Sequence, residues 1–421
     1  MSMKPLGVAV IGFGWMGQAH ARSARRAPTH FPARAYQPRL VVCADVDSGR
    51  REQATRDWGF EQATADWRAA IDAPGVDAVW VTAPNMMHVE MVEAAAAAGK
   101  AVFCEKPVGG RPEDVTRARA ATSAAGVLTG VGYNYRWAPL VQQARALIVG
   151  GALGRITHYR GRFFSMYGSD PLGLLSWRFR LAEGGYGTSS DLLSHSVDLG
   201  HFLLGGTIQR LVGTRSTTIT ERPLATGATS HYGRGRPGDP VGEVTNEDFV
   251  SLLAEFAGGV TATFESSRTI VGPESQNAFE VYGTQGALAW NLERMNELQV
   301  YRADPEGKNS GWATVFGGDR FPYHGNFVPG SANGIGFEDL VTIEDHEFLQ
   351  ALATGGPFAP GLDEAADFAA VQAALITSWD TGSWTDVVPV NGRAPREAPN
   401  GPDGPDGPEK TAQKVAQKAV P

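Results

Sequence analysis

The sequence predicts two domains of different class: a doubly wound α/β unit on a parallel sheet, then an α+β unit on a large open, mainly antiparallel sheet. Three observations carry this. An apolar run, "LGVAVI" (Leu6 to Ile11), leads into glycines spaced G-x-G-x-x-G at Gly12, Gly14 and Gly17. Strand-like and helix-like segments then alternate as far as Asn134. Beyond Trp137 the pattern changes to longer runs in which apolar and polar residues alternate singly. The expected division is 1–136, 137–392 and a tail at 393–421.

The glycine triplet alone is weak, because 52 glycines in 421 residues produce such spacings by chance. Its context decides. The apolar run reads as a buried parallel strand, and Trp15 to Arg26 holds no Gly or Pro except Gly17, so a helix can start inside the motif. Each glycine has its own reason: Gly12 turns the chain, Gly14 clears the backbone for a pyrophosphate, and Gly17 lets helix and strand pack. Backbone N–H groups of Phe13, Trp15 and Met16 at the helix start would face the phosphates. This is a Rossmann-type dinucleotide site.

The following elements run "LVVCADVD" (Leu40 to Asp47), a polar helix, "DAVWVTAP" (Asp77 to Pro84), an alanine-rich helix from His88 to Ala98, "AVFCEKP" (Ala101 to Pro107), a helix to Ala125, and "VLTGVGYN" (Val127 to Asn134). Ligands of such sheets bind beyond the carboxyl ends of the strands. The residues there are Asp45; Thr82, Pro84 and Asn85; Glu105 and Lys106; and Asn134 and Arg136. Asp45 suits the two hydroxyls of an adenine ribose and favours NAD. It lies 28 residues after Gly17 rather than about 20, an excess assigned to a proline-bounded loop from Pro28 to Pro38. Capping the next helix is the alternative use of Asp45, and Arg50 and Arg51 leave NADP open as the less favoured cofactor.

"EKP" at Glu105 to Pro107, together with the fingerprint and "APNMMH" (Ala83 to His88), resembles the Gfo/Idh/MocA oxidoreductases. The resemblance extends over about residues 5 to 390 and includes "GGYGTSSDLLSHSVDLGHFL" (Gly184 to Leu203), which matches the family's G-G…D-x-x-x-H segment at Asp191 and His195. It implies that Lys106, Asp191 and His195 gather around nicotinamide and a substrate hydroxyl, that Asn85 and His88 line the cofactor side, and that the second-domain sheet supports a homodimer or homotetramer.

The residue chemistry points the same way. Oxidising an alcohol sends hydride to nicotinamide C4 and needs a base for the hydroxyl proton, for which histidine is the usual choice. Asp191 and His195, four apart, are expected on one face of a single helix. Lys106, from the other domain, would stabilise the developing alkoxide. Lys106, Tyr133 and Tyr135 stand as substitute bases, and Asn134 and Arg136 as weaker substrate contacts. Asp191, His195, Asp198 and His201 resemble a metal-ligand set, but His201 falls about 240° round the helix from His195, so no metal is expected.

The expected reaction is oxidation of a secondary hydroxyl of a cyclitol, pyranose sugar or glycoside to the ketone. Two other readings stay open: a transient oxidation that permits elimination or glycoside cleavage, and a non-catalytic nucleotide sensor.

In the second domain, "ITHYRGRFFSMYG" (Ile156 to Gly168), "EDFVSLLAEFAGGVTATFESSR" (Glu247 to Arg268) and "NAFEVYGTQGALAWNL" (Asn277 to Leu292) read as antiparallel strands, with a hairpin at Gly258-Gly259. Arg222 to Gly242 and Asp304 to Phe337 read as irregular loops, Glu344 to Ala353 and Leu362 to Thr381 as helices. The repeated "GPD" units after Ala394 predict disorder. A net charge of −8 argues against nucleic acid as the main partner, and no apolar run reaches the roughly 18 residues of a membrane span. The direct entry into the first strand predicts no signal peptide, and two isolated cysteines, Cys43 and Cys104, suit a reducing cytoplasmic setting.

Overall fold

The computed structural model describes residues 3–224, 233–304 and 306–389. Its first sheet comprises β1 (Lys4–Ile11), β2 (Tyr36–Ala44), β3 (Gln62–Thr64), β4 (Ala78–Val81), β5 (Ala101–Cys104) and β6 (Thr129–Val131). The strands are parallel, in the order β3-β2-β1-β4-β5-β6. The connecting helices are α1 (Trp15–His30), α2 (Ser48–Trp58), the short α3 (Trp67–Ile71), α4 (His88–Ala97) and α5 (Pro112–Ala125). They cover both faces, which is why β4 and β5 are buried at every position and carry no alternation. The strand order reverses between β1 and β4, and that crevice is where an open α/β sheet binds its ligand.

The loop expected at Pro28 to Pro38 is much shorter. Helix α1 continues to His30 with Pro28 in its last turn, and β2 already begins at Tyr36. Pro28 gives up the bond an N–H there would make to the Ala24 carbonyl, two residues before the helix ends. The long spacing to Asp45 therefore comes from a longer helix and strand.

The second region begins with α6 (Pro139–Val149) and β7 (Ile156–Ser165), followed by α7 (Leu181–Gly184), α8 (Thr188–Asp191) and α9 (Leu193–Leu204). The strands β8 (Ile208–Ser216), β9 (Glu221–Pro223), β10 (Val241–Glu243), β11 (Phe249–Phe256), β12 (Thr261–Ser267), β13 (Ser275–Gly283), β14 (Gly286–Asn291), β15 (Glu297–Arg302) and β16 (Gly311–Phe316) come next. The chain closes with α10 (Phe337–Thr354), α11 (Leu362–Thr381) and β17 (Thr385–Asp386). Nine strands form one open sheet, β16-β15-β14-β13-β7-β12-β11-β8-β17. Only β7 and β12 pair in parallel. Alternation along β12 buries Ala262 and Phe264 against α9 and leaves Thr261 outside.

Two expected loops contain strands. β16 lies inside 304–337, and β9 pairs with β10 across 222–242, of which 225–232 fall outside the described residues. The tail at 393–421 also lies outside them. Helices α10 and α11 return to the first sheet: Phe348 and Leu349 share a core with Leu6, Val8 and Phe103, and Leu362 and Ala366 one with Val79 and Val102. Ion pairs Arg22–Glu338, Arg26–Asp339 and Arg119–Asp363 border these contacts. Among the described residues, no helix is long and apolar enough to cross a membrane.

Candidate active site

The fingerprint has the shape its chemistry needs. Gly12 adopts a φ of 91°, and a Cβ there would lie 2.7 Å from the Ala83 nitrogen. A Cβ at Gly17 would lie 2.1 Å from the Gly12 carbonyl oxygen. Both exclude side chains. Gly14 differs, since a Cβ there would meet no protein atom within 4 Å. It precedes the first turn of α1, whose N–H groups have no side-chain cap. A pyrophosphate fits this cradle, with Trp15, Met16 and Gly17 around it. The Phe13 amide is used differently: it donates to Asp45 Oδ2 at 2.7 Å, while the Phe13 ring is buried between Trp58 and Phe60. Phe13 thus holds Asp45 and presents neither amide nor ring to a cofactor.

Asp45 directly follows β2. Its other oxygen accepts the Asp47 amide at 2.9 Å, and Arg50 Nη1 lies 3.4 Å from Oδ2. The cap of α2 is Asp47, which accepts from the Arg50 amide at 2.9 Å. Asp45 is therefore not the cap; Oδ2 already takes the Phe13 amide and Arg50, and Oδ1, which accepts only the Asp47 amide, keeps a lone pair for a ribose hydroxyl. Arg51 Nη1 donates to the carbonyls of Asp45 and Val46.

At the end of β4, Thr82 donates to the Gly12 carbonyl at 2.5 Å and ties the two crevice strands together. Pro84 is exposed beside it. Asn85 is buried, donates from Nδ2 to the Gly184 carbonyl at 2.6 Å, and leaves Oδ1 without a partner. Asn85 lines the cleft between the two regions, and its unpartnered acceptor suits a carboxamide or hydroxyl donor. His88 departs from expectation. Its ring is buried, with Nδ1 2.9 Å from the Pro107 carbonyl oxygen and Nε2 2.6 Å from that of Ala83, so it clamps the two strand-end loops. Glu105 is also turned inward, toward His20 and the Lys106 amide.

Lys106 crosses to the second region. Its Nζ donates to Asp191 Oδ1 at 2.9 Å and to the Asp191 carbonyl at 3.1 Å. Tyr167, from the loop after β7, donates to Asp191 Oδ2 at 3.0 Å, and Arg178 Nη1 approaches the same oxygen at 4.0 Å. Burial alone would raise the Asp191 carboxyl, but Lys106 and then Arg178 outweigh it and hold it well below the usual carboxylate range.

Asp191 and His195 are not on one helix. Asp191 ends α8, Leu192 intervenes, and His195 lies in the first turn of α9. The His195 ring packs 4.6 Å from Tyr135 and 6.0 Å from Tyr133, so α9 sits against the carboxyl end of β6. Burial pushes its pKa well below the ordinary 6.5; Lys106 adds to this and Asp191 opposes it. The imidazole is neutral at pH 7 and able to accept a proton. Burial raises both tyrosines, which keeps them protonated and removes them as bases at neutral pH.

Arg136 is buried in a two-point pair with Asp198, its Nε donating at 2.7 Å. The edge formed by its Nε and Nη2 is thereby taken. Asn134 is buried beside it with Nδ2 unpartnered. His201 Nε2 accepts the Ile208 amide at 3.3 Å. With Asp191 on Lys106 and Asp198 on Arg136, the four acidic and imidazole groups do not converge on a metal.

The cleft beside Asp191 is lined by Tyr167, Trp177, Arg178 and Tyr186, none of which the sequence reading singled out. Tyr167 falls at the end of the run read as a strand from Ile156 to Gly168 and Tyr186 inside the Gly184 to Leu203 segment, but no local pattern marks the four as cleft residues. Aromatic faces beside charged and hydroxyl groups are what a polyhydroxylated ring requires, with apolar C–H faces and hydroxyl edges.

Residues 6–133 match the family model described as "Oxidoreductase family, NAD-binding Rossmann fold", and residues 141–289 match the GFO/IDH/MocA C-terminal domain. Levoglucosan dehydrogenase of Pseudarthrobacter phenanthrenivorans is 35% identical over 391 residues, covering 92% of this chain and all of that one. The protein belongs to the Gfo/Idh/MocA oxidoreductase family. The solved structure of a levoglucosan dehydrogenase with NADH superimposes with a TM-score of 0.86 at 34% identity, over 91% of this chain and 100% of that one. Inositol 2-dehydrogenase of Rhizobium meliloti is 26% identical over 87% of this chain and 94% of its own length. The chain is an NAD-dependent oxidoreductase with an N-terminal Rossmann domain.

Proposed function

We propose that this oxidoreductase converts one secondary hydroxyl of a neutral cyclic sugar to a ketone, with levoglucosan or a similarly compact pyranose as substrate. The observation that carries it is the Lys106–Asp191 pair at 2.9 Å, at the edge of a cleft walled by Tyr167, Trp177 and Tyr186. NAD, when bound, supplies the hydride-accepting nicotinamide; Asp45, Asn85 and the first turn of α1 would hold it. The Lys106 ammonium faces the substrate oxygen and stabilises the charge that develops there as the C–H bond breaks. Asp191, itself held by Tyr167, fixes that ammonium. His195, neutral at pH 7, accepts the hydroxyl proton.

The relatives supporting the substrate class are the levoglucosan dehydrogenases and the inositol dehydrogenases. Incubation with NAD and a panel of levoglucosan, pyranoses and inositols, followed by NADH absorbance, tests it. Turnover highest with levoglucosan supports the reading. Product formation without net NADH indicates the transient-oxidation reaction instead.

The same proposal includes self-association through the outer face of the nine-stranded sheet, supported by half-exposed Leu253, Trp312 and Phe316. Light scattering during gel filtration tests it, and a monomer would refute it. A cytoplasmic location completes the proposal, supported by Cys43 and Cys104, both free and buried.

A further inference from the structure

Behind the cleft lies a buried polar cluster that the proposed chemistry does not use. His20 on α1 is fully buried. Its Nδ1 lies 2.9 Å from Asp345 Oδ1 and its Nε2 3.1 Å from Glu105 Oε1. Each ring nitrogen faces a carboxyl oxygen, and both nitrogens donate when the ring is an imidazolium. Burial opposes this charge, but Asp345 and Glu105 together hold the pKa well above the ordinary 6.5. The ring is further fixed by Trp80, stacked at 5.7 Å, and by the edge of Phe103 at 5.2 Å.

Glu344, the neighbour of Asp345 on α10, is also fully buried, and neither of its carboxyl oxygens has a hydrogen-bond partner. Donor atoms of His20, Glu105 and Glu344 lie within 4.8 Å of one another. Burial and then the Glu105 charge push the Glu344 carboxyl well above the usual range, with His20 opposing.

We propose that His20, clamped by Asp345, is a positioning residue: it holds the Glu105 carboxylate against the Lys106 backbone and so fixes where the Lys106 ammonium meets Asp191. Glu105 Oε1 takes the imidazolium, and Oε2 accepts the Lys106 amide at 3.1 Å. A Cβ at Gly132, just past β6, would lie 2.6 Å from Glu105 Oε1, so the absence of a side chain there makes room for the carboxylate. The line runs from α10 through α1 and the end of β5 to α8. Helices that share no sequence neighbourhood thereby set one catalytic atom. The inference rests on the proposed role of Lys106.

The test is a double-mutant cycle of His20→Gln and Lys106→Met in the full chain, with Arg22→Gln as control. Arg22 pairs with Glu338 on the same α1–α10 seam but touches nothing in the cluster. His20→Gln should lower kcat roughly ten- to hundredfold, the cost of a displaced reacting group, with NAD affinity unchanged. In the Lys106→Met background it should add almost nothing. Arg22→Gln should leave kcat as it was. Histidine 15N NMR supplies an independent readout: both His20 ring nitrogens should be protonated at pH 8. Fully additive effects, an equal loss in Arg22→Gln, or a neutral His20 ring would overturn the proposal. If His20→Gln does not fold, Asp345→Asn takes its place in the cycle; failure of both to fold would assign the cluster to stability alone and also overturn it. Full activity in Lys106→Met would instead refute the role of Lys106, which the cycle reports separately.

Discussion

His195 should be removable with a defined signature. The ring is buried against Tyr133, Tyr135 and Phe163, and its proposed partner is the substrate hydroxyl, not the dinucleotide. His195→Ala should therefore lower kcat by roughly 10²–10⁴-fold, the span usual for a lost general base, while NAD binds as before. The pH dependence is sharper. Burial and then Lys106 depress the imidazole pKa, and Asp191 raises it. A group with a depressed pKa is already deprotonated at pH 7, so the rising limb of kcat/KM should lie below pH 6.5. Lys106→Met removes a neighbouring cation and should move the residual limb upward. Initial rates with NAD at saturating and limiting substrate, from pH 4.5 to 9, give both profiles. Persistence of the limb in His195→Ala would remove His195 as the base. A limb that stays in place in Lys106→Met would mean that the ammonium and imidazole do not share a field.

The same geometry sets other outcomes. Lys106→Met should reduce kcat by roughly 10²–10³-fold, as for a lost oxyanion donor, and spectrophotometric assay with NAD saturation curves will show whether cofactor KM is spared. Gly14→Val should weaken NADH binding in a fluorescence titration while thermal stability holds, because its side chain enters space that no protein atom occupies. Gly17→Ala should instead lower the melting temperature, since its Cβ would lie 2.1 Å from the Gly12 carbonyl oxygen. Replacing Asp45 with Ser should raise kcat/KM for NADP relative to NAD, because a carboxylate beside a 2′-phosphate is exchanged for a neutral group with Arg50 already near; an unchanged ratio would move ribose recognition elsewhere.

The first sheet and its cofactor cradle were legible in the sequence because their determinants are local. A buried parallel strand needs a short apolar run, the turn into α1 needs glycines where Cβ atoms collide, and ligand contacts fall at strand ends, where Asp45, Thr82, Asn85 and Lys106 stand. The motif identities of Asp191 and His195 were equally local. Their arrangement was not: an expected single helix is broken at Leu192, and Lys106 meets Asp191 across 85 residues. Tertiary structure also turned Phe13, His88, Glu105 and Arg136 inward to Asp45, two carbonyls, His20 and Asp198. It brought Tyr167 onto Asp191 and joined His20 to Asp345 across 325 residues. The reason is physical: periodicity and turn chemistry report which face of an element is apolar, whereas the partner of a buried polar group is chosen by how whole elements pack.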